Sequence, residues 1–426
     1  MVIATLIGLF LLLLIIGVPV ALAMGLTSIV VAFQLDIPMS VLVQRMVAGV
    51  NSFPLLAIPF FILAGEIMNS GGISQKLVRL SDVIVGRFRG GLGIVNVNTS
   101  MLFGGISGSA LADASSIGSI MIPMMKKKGY DTDYSVAVTV SGATQGIVIP
   151  PSHNMIIYAL AAGGGISISS LFLAGIIPGI LLGLGLMVTA YVIAVKRKYP
   201  AEKPSSFREV LKAMREAIPG LLTGVIIIGG ILSGIFTVTE SAAIAVAYAF
   251  LTSFVFNRDV PISRIIPVLA QTFKTLALVL FLIATSSGFA WLLALLRIPT
   301  LVSDSLLGLT DNPILITLFI IIILLFLGTI LDVAPIILIT TPILLPIATS
   351  IGMDPIHYGI VMMICMAIGL VTPPVGGALF VGSAIGKIPV ERVIKSLLPF
   401  YLCMIVILLL VAFVPQITMV VPNLFQ

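Results

Sequence analysis

Two proline pairs, Pro150-Pro151 and Pro373-Pro374, each break an apolar run that is otherwise long enough to cross a membrane. A proline pair removes two backbone donors and frees carbonyls one turn earlier, at about 3 kcal/mol per interior proline if nothing compensates. In an apolar medium such a break survives only where protein or a water-filled cavity surrounds it. Composition identifies the medium: 59% of the 426 residues are hydrophobic and 9% are charged, against roughly 25% charged in a soluble domain. Apolar stretches near the ~20 residues that a helix needs to span a bilayer recur along the chain. The alternating ~10-residue segments of a transmembrane β-barrel are absent. The sequence therefore predicts an all-α polytopic membrane protein.

The chain also contains itself twice. A shift of 223 positions carries residue 150 to residue 373 and superposes Leu102, Phe103 and Gly105 on Leu325, Phe326 and Gly328. The same shift pairs Pro123 with Pro346, Gly129 with Gly352, Asp131 with Asp354, Gly146 with Gly369 and Gly163 with Gly386. All three prolines between Leu102 and Gly163 find a proline partner, so the match is an internal duplication.

Charge predicts that the copies are inverted. The loop after the first copy's leading unit, "KKKGYDTD", carries Lys126, Lys127 and Lys128, whereas its counterpart, "SIGMDP", has no Lys or Arg. The positive-inside rule puts the first loop in the cytoplasm and the second outside. Basic ends at Lys76 to Arg89, Lys196 to Arg215, Arg258 with Arg264, and Lys387 to Lys395 fit the cytoplasmic side, which leaves both termini external. Each leading unit, Val95 to Lys126 and Leu315 to Ser350, must then enter and leave on one side. Its polar, glycine-rich middle ("GGISGSALADASS", "GTILDVAP") predicts a re-entrant hairpin, followed by a discontinuous helix.

Paired breaks in inverted halves, each preceded by a polar tip, form the pattern in which secondary transporters hold substrate and coupling ions near the bilayer midplane. Hard oxygen donors without a cysteine or carboxylate cluster suit Na⁺. The first expected site pairs tip residues Gly105, Ser107 and Ser109 with Gly146, Ile149 and Pro151; the second pairs Gly328, Thr329 and Asp332 with Gly369, Thr372 and Val375. Ser107, Ser109, Ser152, His153, Asn154, Thr372 and Gly376 are the expected substrate contacts. No Arg or Lys lies between Leu102 and Gly118 or between Leu325 and Leu338. An anionic substrate would therefore rest on helix N-termini and hydroxyls.

Other features weigh against different classes. Cys365 and Cys403 have no metal-ligand or redox spacing, and no nucleotide-binding P-loop is present. The N-terminal segment lacks a basic n-region and reads as retained membrane structure. The net charge of +6 gathers at segment ends and calls for no nucleic acid. Glu66, Glu240 and Asp332 are the carboxylates that a proton-coupled carrier would use, or else helix-end contacts. Arg79, Arg87 and Arg89 fall on an amphipathic stretch that reads as an interfacial helix, and Trp291 reads as packing or an interface anchor. "GISG" at Gly105 to Gly108, with His153 as base, also fits an intramembrane serine protease, but the second copy has neither serine nor histidine at those places.

With "GGISGSALADASSIGSIMIPMM", both proline breaks and "GIFTVTESAA", the chain resembles, over essentially its whole length, the DctM-type large membrane subunit of tripartite ATP-independent periplasmic (TRAP) transporters. The resemblance implies Na⁺-driven uptake of an organic anion, a C4-dicarboxylate, sialic acid or related carboxylate, across the bacterial inner membrane. A periplasmic solute-binding protein would deliver the anion, and a separate small membrane subunit would pack against this one. It further implies an elevator fold similar to the divalent-anion/Na⁺ symporters. Residues 93–165 and 315–387 would form the transport domain, and residues 1–92, 166–314 and 388–426 the scaffold and arms.

Overall fold

The computed structural model describes residues 1–201, 205–256, 260–308 and 310–425. Arg258, counted above among the basic ends, lies outside the described residues. The architecture is helical, with a single isolated bridge between Arg89 and Ala201 among the described residues. The first block comprises α1 (Val2–Ile15), α2 (Val20–Gln34), α3 (Met39–Val50), α4 (Ala57–Ser70) and α5 (Ile73–Val85). Next, α6 (Gly91–Ser107) and α7 (Ala110–Lys127) form a helical pair joined by Gly108 and Ser109 alone. They are followed by α8 (Thr132–Ala143), α9 (Gln145–Val148) and, beyond the proline break, α10 (His153–Ala161).

A middle block holds α11 (Ile168–Lys196), α12 (Phe207–Leu232), α13 (Val238–Phe250), α14 (Ile265–Leu295) and α15 (Ile298–Leu307). The pattern then recurs: α16 (Pro313–Ile330) and α17 (Val333–Ser350) are joined by Leu331 and Asp332, and α18 (Pro355–Gly369) is separated from α19 (Gly377–Gly386) by the second break. The chain closes with α20 (Val390–Phe413) and α21 (Gln416–Leu424). Among the described residues, eight helices are long and apolar enough to cross a membrane.

Burial separates the helices by role. Every residue of α8 from Tyr134 to Ala143 is buried, as is every residue of α18 from His357 to Gly369. The interrupted helices thus run through the centre, where neighbours satisfy their main chain. By contrast α16, almost wholly aliphatic, leaves Ile314, Leu315, Phe319, Ile322 and Phe326 exposed, as expected of a helix facing lipid. The polar residues of α6 point inward: the Asn96 amide donates to Thr139 Oγ1 at 2.6 Å, and the Gln145 amide donates to the Val97 carbonyl at 3.2 Å. Asp113, fully buried in the first turn of α7, accepts from Ser100 Oγ at 3.2 Å and ties the two arms of the pair together.

Packing divides the helices into two groups. One contains α6 to α11 and α16 to α21, with α11 against α6, α18, α20 and α21, and α20 against α8. The other sets α14 against α2, α3 and α4, and α13 against α4 and α12. The groups meet where α14 and α15 pack on α17, where α4 packs on α6, and where α5 packs on both α6 and α12, with Arg79 bonded to Glu216 at 2.8 Å. This helix ends at Val85, so Arg87 and Arg89 lie in the turn that follows it, where the Gly90 amide bonds the Pro200 carbonyl. Trp291 lies under the Arg45 guanidinium, 5.4 Å from its ring centre.

Charged residues collect at one end. Lys126 Nζ reaches the Gly386 carbonyl at 3.3 Å. Arg197, just past α11, donates to Asp131 at 3.0 Å, to both carboxylate oxygens of Asp133, and to Ser396 of α20 at 2.8 Å. Burial, then donation to Asp131 at 2.6 Å, pushes the Tyr199 phenol up to about 12, so it remains a donor at neutral pH. At the opposite end, Tyr158 donates to the Pro355 carbonyl at 2.5 Å, and the buried His357 meets Thr418 and the Ala412 carbonyl. Because the planar fork of Arg197, at the end of α11, binds α8 and α20 at once, Arg197→Lys removes bonds that an ammonium cannot replace. The expected loss is about 1–3 kcal/mol, read as a lowered unfolding midpoint of the detergent-solubilised protein; an unchanged midpoint would show that the cluster is ornamental.

Candidate functional site

Each helical pair turns back where the following helix breaks, and glycines bring the main chains together. A Cβ built on Gly104 would stand 3.0 Å from Gly146 Cα. In the second copy the approach is closer: a Cβ on Gly369 would lie 2.6 Å from both Cα and C of Gly328. The second approach is closer than a real side chain tolerates, so only glycine permits that crossing, and the first is tighter than nearly all Cβ contacts.

At the first junction the Pro150 carbonyl oxygen lies 3.4 Å from the Cβ position of Gly105, and that of Pro151 lies 2.7 Å from the Cβ position of Gly108. These two oxygens face the tip. The Val148 carbonyl instead faces Gly175 of α11, and the side chain of Ile149 packs on Gly179 of α11. Ser109 caps α7 by accepting the Ala112 amide at 3.4 Å, and Ser107 Oγ contacts the Ser109 carbonyl at 3.5 Å. Ser152 is fully buried at the break, and its hydroxyl has no partner among the described residues. An unfilled buried hydroxyl beside convergent carbonyls has the chemistry to receive a hard cation. Asn154 follows it, buried, and His153 opens α10 with its backbone amide beside Gly108.

At the second junction the Val375 amide bonds the Thr329 carbonyl at 3.0 Å, a direct main-chain link between tip and break. The Thr372 hydroxyl donates to the Ile368 carbonyl at 2.7 Å. Asp332 caps α17 through the Val333 amide at 2.8 Å. Gly376 adopts φ +22° and folds back on the Thr372 carbonyl. Tyr401 of α20 braces the break by donating to the Val371 carbonyl. Among the described residues no group of three or more His, Cys, Asp or Glu gathers anywhere, so a transition-metal centre has no ligand set.

A cavity of about 690 Å³ opens beside the tips and is shared by Ser107, Ser109, His153, Asn154 and Asp332. Its far wall is Glu66 and Asn69 from the last turns of α4, with Gln271 and Thr275 from the early turns of α14.

The DctM component model of the tripartite ATP-independent periplasmic transporters matches residues 7–417. "Uncharacterized protein YgiK" of Salmonella typhimurium is 44% identical, with 99% of this chain and 98% of the relative covered. The sialic acid TRAP transporter large permease protein SiaM of Vibrio cholerae is 40% identical over 90% of this chain and 89% of its own. The chain belongs to the DctM component family of TRAP transporters. A likeness at the level of fold extends to the YdaH transporter of Alcanivorax borkumensis, with a TM-score of 0.60 and 15% identity over 88% of both chains.

As a DctM component, the chain is a multi-pass inner-membrane transport subunit and not an enzyme. The serine protease reading falls with that, and the geometry gives the reason: Ser107 contacts its own tip, not an imidazole. Glu240 is a helix cap, accepting the Thr237 amide and hydroxyl at 2.8 Å each. Sequence reasoning named Glu66 but missed the Pro150 carbonyl and the other three wall residues, Asn69, Gln271 and Thr275. Carbonyl direction leaves no trace in residue type, and Gln271 and Thr275 carry no repeat or motif. Because the second crossing has no room for a methyl group, Gly369→Ala in this DctM component is expected to cost about 1–3 kcal/mol. Thermal unfolding checks this; wild-type stability would contradict the contact.

Proposed function

We propose that this chain is the large membrane subunit of a Na⁺-coupled symporter that imports an organic carboxylate, a C4-dicarboxylate, sialic acid or related acid. A periplasmic binding protein hands over the solute, and a small membrane subunit is the remaining part of the tripartite system. The observation that carries the reading is the pair of junctions where a proline-broken helix meets a helical turn: carbonyls face the tip at the first, and main chain bonds main chain at the second. The co-transported Na⁺ would lie at these junctions, with Ser109 and Ser152 at the first and Thr372 and Asp332 at the second. The substrate carboxylate would rest at the helix ends beside them.

In this reading α6–α7 and α16–α17 are inverted re-entrant hairpins. The first enters from the charged end and the second from the end where Tyr158 meets Pro355. The positive-inside rule makes the charged end cytoplasmic and both termini periplasmic. The moving block of the elevator is the first packing group, so α11 and α20 travel with residues 93–165 and 315–387 and do not stay with the scaffold; Arg197 joins them to α8. Na⁺ at both tips would order the pocket and offset the solute's charge before the block slides against α4 and α14.

Uptake of labelled solute into proteoliposomes tests this, with the chain, its small subunit and the cognate binding protein present. Uptake is expected only with an inward Na⁺ gradient and the binding protein. Ser109→Ala is expected to raise the Na⁺ requirement roughly tenfold without abolishing transport, since one neutral oxygen contact is lost. Transport that ignores Na⁺ and follows a pH gradient would instead support proton coupling through Glu66 or Asp332.

A further inference from the structure

A second cavity, of about 370 Å³, lies between α5 and α12 and shares no residue with the one at the tips. We propose that it seats the phosphate of an anionic diacyl phospholipid, whose acyl chains run along the exposed apolar face of α12.

The walls supply the charge. Lys212 and Arg215 of α12 face the cavity from one side and Lys76 of α5 from the other. Glu216 is the one acidic lining residue among those described, and it already accepts from Arg79 at 2.8 Å. Ammonium and guanidinium groups converging on one concave space form a receptor for a phosphodiester.

Depth is the second argument. The helices run antiparallel, since Ile73 packs at Gly220 while Arg79 meets Glu216. The charged residues of α12 all precede Pro219, and from Ala217 to Leu232 there is none. The cavity therefore lies where charge gives way to hydrocarbon, which is where a lipid headgroup resides.

The surface beside the cavity completes the case. Phe207, Leu211, Met214, Ile218, Leu222 and Val225 recur at steps of three and four residues and are all exposed. They make one continuous stripe, and Lys212 and Arg215 each follow a stripe residue, roughly 100° farther round the helix. A soluble anion has no use for the stripe, and an apolar partner has none for the cations; a phospholipid engages both. Because α5 also packs on α6, a lipid seated here braces one of the places where the two packing groups meet.

The test is thermal shift on the full chain, purified in neutral detergent and stripped of lipid. It is titrated with dioleoyl phosphatidylglycerol, dioleoyl phosphatidylcholine and glycerol 3-phosphate. Phosphatidylglycerol is expected to raise the unfolding midpoint at concentrations where the other two do not. Lys212→Gln with Arg215→Gln is expected to weaken that effect about thirtyfold. A control, Arg392→Gln with Lys395→Gln at the start of α20, is expected to change it less than about threefold. No response to phosphatidylglycerol, an equal response to phosphatidylcholine, stabilisation by glycerol 3-phosphate alone, or equal weakening by the two double variants would each overturn the proposal. If the first double variant does not fold, K212Q alone, expected to weaken the effect about fivefold, is compared with the same control.

Discussion

The structure depends on the main-chain polar groups that two proline pairs release inside an apolar medium. Free carbonyls and amides at membrane depth are too costly to leave unmet. The chain meets the cost by bringing a second stretch of irregular backbone, the turn of a helical pair, against each break. Glycine at Gly104, Gly146, Gly328 and Gly369 makes the approach possible, because any Cβ there would fall within about 3 Å of main-chain atoms. Once tip and break are in contact, the helices around them have little freedom. They must be buried, and α8 and α18 are buried on every side.

That arrangement explains where the polarity of a hydrophobic chain resides. The arms of the first pair are held by buried side-chain bonds, Asn96 to Thr139 and Ser100 to Asp113, and the lipid-facing surface of α16 has none. A charged cluster at one end, Arg197 with Asp131, Asp133 and Ser396, joins α8, α11 and α20. The result is a block with an inflexible polar interior and an apolar exterior, set beside α4 and α14 with a cavity between.

Much of this was legible in the sequence, for identifiable reasons. The 223-residue shift aligned the turns at Ser109 and Asp332, and each falls where one helix ends and the next begins. Proline and glycine announce backbone irregularity whatever surrounds them, so the junctions could be located without coordinates. What residue type cannot give is direction. Pro151 was expected at the first site and Pro150 was not, yet the carbonyl oxygens of both turn to the tip, while that of Val148 turns to α11. Gln271 and Thr275 are isolated polar residues on a long apolar helix, and only folding sets them across from Ser107 and Ser109. The packing of α11 and α20 was also hidden, because both read as ordinary spans until the contacts of Arg197 and Tyr401 placed them beside α8 and the second break.

The central claim is that the two tip-to-break junctions hold Na⁺. Cryo-electron microscopy of the chain with its small subunit, once in NaCl and once with choline in place of Na⁺, tests it most directly. The account predicts density between Pro150, Pro151 and Ser152 and the first tip, and between Thr372 and Asp332 at the second, present in NaCl and lost in choline. Junctions that look identical and empty in both conditions would contradict it.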